Sequence, residues 1–100
     1  MNRPAEDKQQ ALDEPTAEER DRVQVVFGEA LRKLRKSQDL TLEKLAERAE
    51  LHTNYVGSVE RGERNISLFN IWRLALALNL SPAELMQELP THRLREPGRS

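Results

Sequence analysis

Residues 40–62 read LTLEKLAERAELHTNYVGSVERG, and the spacing of their apolar side chains decides the fold. Leu42, Leu45, Ala46 and Ala49 recur on the period of a helix that buries one face. Thr41 stands where its hydroxyl can satisfy the first unpaired backbone N–H groups, so a helix is predicted from about Leu42 to Ala49. Leu51 follows as an apolar plug in the turn. A second helix is predicted from about Thr53 to Arg61, with Val56 and Val59 facing inward. Gly62 sits where a left-handed residue would end it.

Working outward, Val23, Val26, Phe27, Ala30, Leu31 and Leu34 form one helical stripe that ends near Lys36. Arg32, Lys33, Arg35 and Lys36 lie on its other faces and in its last turn, where cations suit the helix dipole. Thr16 and Glu19 match a capping box, and a start nearer Val23 fits equally well. After the central pair, Ser67 caps a helix carrying Leu68, Ile71, Trp72, Ala75 and Leu78. Ser81-Pro82-Ala83-Glu84 combines an N-cap, a proline in the first turn and a capping box. That last helix would hold Leu85, Met86 and Leu89 and stop at Pro90. No strand-like alternation and no internal repeat occur. The expected fold is all-α, with about five short helices in one bundle. Residues 1–15 read as a disordered acidic arm, 16–89 as the folded domain and 90–100 as a flexible tail.

Composition narrows the function. The chain has 100 residues and no cysteine, which excludes disulfides, thiolate metal sites and a cysteine nucleophile. No apolar run approaches the ~18 residues of a spanning helix, and MNRPAEDKQQ has no secretory h-region. A soluble cytoplasmic protein without membrane contact is expected. The net charge of −1 hides an uneven distribution. Residues 1–22 carry four basic and seven acidic side chains, whereas residues 23–80 carry nine basic and seven acidic. Charge alone does not point to nucleic acid. His52 and His92 are the only histidines and lie far apart, so no metal site is expected. Carboxylates such as Glu29 before Lys33 and Glu60 before Arg64 have the i,i+4 spacing of solvated helix faces. No catalytic constellation, nucleotide loop or cofactor motif is present, so no enzyme and no cofactor are expected.

Two short helices joined by a tight turn suit a helix-turn-helix. Around them four motifs follow in order: Leu31-Arg32-x-Leu34-Arg35, Leu45-Ala46-Glu47, Val59-Glu60-Arg61-Gly62-Glu63-Arg64-Asn65 and Ala77-Leu78-x-Leu80-Ser81. With these, the chain from Phe27 to Leu89 resembles the Cro/phage-repressor (XRE) helix-turn-helix family. Residues 52–67, HTNYVGSVERGERNIS, are especially similar to the controller proteins of restriction-modification systems. The resemblance implies a five-helix lambda-repressor-like bundle. It implies a sequence-specific, double-stranded-DNA-binding transcriptional regulator, acting as a homodimer on a palindromic operator, with autoregulation in the controller manner as one mode open to it. An antitoxin or coactivator-like interaction module of the same fold is the alternative, with the acidic arm binding a protein partner.

The second helix of the motif is then the recognition helix, its N-terminal part set against base edges. His52 at the cap and Thr53, Asn54, Gly57 and Ser58 are expected to face outward. These are poor helix formers with no core to fill, and asparagine can bond an adenine edge in bidentate fashion. Tyr55 either bonds a phosphate or is simply a half-buried aromatic. By resemblance, Arg64 and Asn65 contact the DNA, and Arg35 pairs with Glu60 as a structural link. Leu42 replaces a phosphate-binding glutamine common in phage repressors, and Glu50 replaces a common glycine, so a differently shaped turn is expected. Phe69, Met86 and Leu89 are expected at a dimer interface, with Trp72 and Leu85 in the core and Leu94 as a further interface candidate.

Overall fold

The computed structural model describes residues 16–92. The arm at 1–15, and Leu94 with the rest of residues 93–100, lie outside the described residues. Among those described there are five helices and no strand: α1 (Ala17–Ser37), α2 (Leu42–Ala49), α3 (Thr53–Glu60), α4 (Leu68–Leu78) and α5 (Pro82–Leu85). The all-α five-helix expectation holds.

The caps explain the boundaries. The Thr16 hydroxyl accepts from the Glu19 N–H at 3.0 Å and the Glu19 carboxylate accepts from the Thr16 N–H at 3.3 Å, so α1 begins at the earlier of its two candidate starts. The hydroxyls of Thr41, Ser67 and Ser81 likewise accept from an N–H in the first turn of α2, α4 and α5, and Ser81 with Glu84 completes a second capping box. The α5 helix ends at Leu85, short of the expected Leu89. There the Met86 N–H is shared between the Pro82 and Ala83 carbonyls, and the Leu89 N–H bonds the Met86 carbonyl. The chain tightens into i→i+3 turns, and Pro90 disfavours a helical conformation at the residue before it.

Leu31, Leu45, Val56, Val59, Leu74, Leu78 and Leu85 are fully buried, and Phe27 joins them. Each such side chain contributes roughly 1.5–3 kcal/mol of hydrophobic stabilisation. Trp72 is not among them. It is 47% exposed and stacks on Phe69, with ring centroids 5.7 Å apart. The α4 helix buries Ile71, Leu74, Ala75 and Leu78, and Trp72 lies off that stripe beside Leu68, Phe69 and Leu76. A helix apolar on two faces has no periodicity that says which face is core. Val23, expected on the buried stripe of α1, is likewise exposed.

Two close approaches set the arrangement around α3. A Cβ on Gly28 would stand 2.4 Å from the Val59 carbonyl oxygen and 2.6 Å from that of Glu60, so α1 touches the α3 backbone directly. Gly62, with φ of +77°, rests on Val25 in the same manner. The turn from α2 to α3 is the left-handed one that a glycine would make. Glu50 takes φ 60° and ψ 42°, and the Leu51 N–H returns to the Ala46 carbonyl. Glu50 therefore changes the cost of the turn rather than its shape, since left-handed backbone costs an L-residue about 1–2 kcal/mol. Glu50→Gly is expected to raise stability by about 0.5–1 kcal/mol once glycine's extra unfolded-state entropy is subtracted. Urea denaturation reads this directly, and an unchanged or lower midpoint would refute the strain at this turn.

Candidate nucleic-acid interface

The α3 helix is held by one buried ion pair. Arg35 of α1 donates through Nε to Glu60 Oε2 at 2.7 Å and through Nη2 to Glu60 Oε1 at 3.0 Å. Its Nη1 donates to the Leu40 carbonyl at 2.8 Å. Both side chains are about one-tenth exposed. The hydrogen-bonded Glu60 carboxylate holds the Arg35 guanidinium above its ordinary pKa, against the opposing effect of burial. Glu60 is the last residue of α3, so a planar fork fixes the helix end in position and rotation. The pairing implied by resemblance is present, and Glu60 serves Arg35 rather than Arg64.

The other end of α3 is open. His52 is exposed, and its side chain makes no capping bond. Asn54 is exposed and Thr53 partly so. Tyr55 is half-buried, with its ring against the core and its hydroxyl accepting from Asn70 Nδ2 at 3.0 Å. The ring is thus a half-buried aromatic, and the hydroxyl keeps a proton to donate. Arg64 and Asn65 are exposed in the loop after Gly62, and the Arg64 guanidinium lies 5.7 Å from the centroid of the Tyr55 ring.

Gly57 and Ser58 do not face outward as expected. Gly57 is buried, and a Cβ there would lie 3.2 Å from Leu42 Cδ2 and 3.2 Å from Arg61 Nη1. Ser58 is 5% exposed, donates to the Tyr55 carbonyl at 2.6 Å and accepts from Arg64 Nε at 3.0 Å. A short helix packed against both α1 and α2 has little free circumference. Small residues at 57 and 58 reflect close packing, which poor helix propensity alone does not distinguish from an exposed face.

Two contributors escaped the sequence reading. Asn70 pins Tyr55 from α4, and Gln24 Nε2 donates to the Gly62 carbonyl at 3.1 Å. Asn70 is marked only as a polar residue in an apolar helix, and Gln24 carries no local signal. The expected interface residues separate. Phe69, 58% exposed, belongs to the stripe of Leu68, Trp72 and Leu76. Met86 and Leu89 line a hollow of about 190 Å³ with Val23, Phe27, Ile66 and Ile71. Among the described residues no helix is long and apolar enough to cross a membrane, and no group of His, Asp or Glu could hold a metal ion.

Residues 31–85 match the Helix-turn-helix family HTH_3. Over 65 residues the chain is 38% identical to the control protein C.BamHI of Bacillus amyloliquefaciens, covering 64% of this chain and 80% of that one. The crystal structure of the restriction-modification controller protein C.AhdI from Aeromonas hydrophila is 52% identical, with a TM-score of 0.60, and the match covers 61% of this chain and 92% of that one. The biofilm master regulator SinR in complex with DNA superposes with a TM-score of 0.58 at 28% identity, over 60% of this chain and 97% of that one.

The buried pair yields a stability prediction. Arg35→Met leaves the Glu60 carboxylate buried without its partner and is expected to cost about 3 kcal/mol. Arg35→Met with Glu60→Leu should lose distinctly less, because no orphaned charge remains. Denaturant midpoints of the two variants decide it: equal losses would mean the pair is not desolvated in solution.

Proposed function

Because the chain belongs to the helix-turn-helix family of DNA-binding transcription regulators, we propose that it acts as a homodimer on a short palindromic operator and serves as an autoregulatory controller of a restriction-modification system. The observation that carries this reading is the presentation of α3. Its C-terminal end is locked to α1 through Arg35 and Glu60, and its N-terminal end offers Thr53 and Asn54 to a major groove. Asn54 reads an adenine edge. Thr53 and His52 flank it, and the Tyr55 hydroxyl donates to a phosphate. Arg64 and Asn65 reach the DNA from the adjoining loop. Gly57 and Ser58 act from beneath the surface. The controller role rests on the likeness to the control proteins and is the finer part of the proposal.

The α4 stripe supports the homodimer. Leu68, Phe69, Trp72 and Leu76 are 77%, 58%, 47% and 57% exposed on one short helix. Apolar patches of this kind mark interaction surfaces on small proteins. A second copy covering it would place two recognition helices on one duplex, where half-sites lie about 34 Å apart. Of the expected interface residues, Phe69 sits within this patch, Trp72 joins it, and Met86 and Leu89 lie at a different hollow.

Two measurements test these readings. Asn54→Ala should weaken binding to a footprinted operator by about 1–3 kcal/mol while leaving random-duplex binding unchanged; equal losses on both would remove Asn54 from base readout. Trp72 is the sole tryptophan, so its emission should shift to the blue as concentration rises while light scattering reports the dimer mass. A monomer at high micromolar concentration with unshifted emission would refute the α4 interface.

A further inference from the structure

The recognition helix carries no arginine or lysine from Thr53 to Glu60, yet a guanidinium lies across it. Arg64 turns back from the loop, donates through Nε to Ser58 Oγ at 3.0 Å and lies 5.7 Å from the centroid of the Tyr55 ring. Ser58 is fixed in turn, its own hydroxyl committed to the Tyr55 carbonyl at 2.6 Å. That bond spends the hydroxyl proton and leaves a lone pair toward Arg64. Tyr55 cannot swing away, because Asn70 bonds its hydroxyl at 3.0 Å. The neighbouring acidic residue does not compete, since Glu63 is engaged by Arg61 at 3.1 and 3.3 Å.

We infer that Ser58 is a positioning residue that orients Arg64 in the unbound protein, so that its terminal Nη1 and Nη2 read a guanine as a fork. The inference rests on the reading that Arg64 meets DNA. With Nε occupied by Ser58, the remaining edge presents two parallel N–H donors. They match the O6 and N7 acceptors of guanine. The same fork can also clasp a phosphate, so a base preference at one position is what separates the two contacts. Holding a long side chain before binding removes ordering entropy that would otherwise oppose the contact. A cation from the loop thereby takes the place of the basic residue missing from α3.

The test uses the full chain. Duplexes are selected from a random pool with the wild-type protein, and Arg64→Ala then identifies the position whose guanine preference depends on Arg64. At that position guanine, adenine and 7-deazaguanine are compared for the wild type and Ser58→Ala. Alanine keeps the helix intact. The wild type should prefer guanine about tenfold or more over both alternatives. Ser58→Ala should reduce this to less than about threefold without changing random-duplex affinity. In parallel, the Arg64 Nε–H of unbound protein is followed by NMR. It should exchange slowly in the wild type and rapidly in Ser58→Ala, with the backbone amide spectrum otherwise retained.

Full guanine preference in Ser58→Ala overturns the positioning role while leaving the Arg64 contact in place. Rapid exchange of the Arg64 Nε–H in the wild type overturns it without recourse to any variant. Uniform loss on every duplex in Arg64→Ala makes the contact a phosphate one and ends the guanine reading. No effect of Arg64→Ala on any duplex removes Arg64 from the interface altogether.

Discussion

The molecule depends on the contact between α1 and the last turn of α3. A hydrogen-bonded fork from Arg35 meets Glu60 there with both side chains nearly dry, and Gly28 lets the two backbones touch beside it. Neither element works without the other. The fork fixes rotation, because a planar guanidinium accepts a carboxylate in one plane. The glycine fixes distance, because any Cβ would collide with carbonyl oxygens. A helix of eight residues has little stability of its own, so its orientation is borrowed from this contact.

With that end fixed, the open end becomes a surface with few charges. On the proposed reading Thr53 and Asn54 discriminate by hydrogen-bond pattern rather than by attraction, which suits a chain of net charge −1. The two arginines that follow α3 are held by neighbouring side chains. Arg61 is tied to Glu63, and Arg64 is folded back over Tyr55. Weak general attraction combined with oriented donors favours discrimination over strong non-specific binding.

The helices and their caps were legible in the sequence because their causes are local. Thr16, Thr41, Ser67 and Ser81 each act on residues within one turn, and the stripes of α1 and α2 follow from spacing alone. The Arg35–Glu60 pair became visible through family resemblance, since no local rule joins residues so distant in the chain. What failed required three-dimensional knowledge. Trp72 lies on a helix with two apolar faces, and only packing chooses between them. Ser58 and Gly57 looked like exposed polar positions because a small residue at a helix crossing and one at a groove carry the same local signature. Glu50 adopts a glycine-like turn because two helices impose it, overriding the preference of its own backbone. The four expected contacts that are fully exposed, His52, Asn54, Arg64 and Asn65, lie where α3 begins or beyond where it ends.

The turns of α1 ahead of residue 31 carry a mechanical part of the motif. The match to the HTH_3 family begins at Leu31, yet Gln24 holds the Gly62 carbonyl, Val25 supports the same glycine, and Phe27 and Gly28 form the floor beneath α3. A fragment cut at the edge of the likeness would retain both helices of the motif and lose the bed on which they lie. The recognisable unit is thus smaller than the cooperative one. Any change at the open end of α3 is tolerated only while the turns of α1 before residue 31 continue to carry the mechanical load.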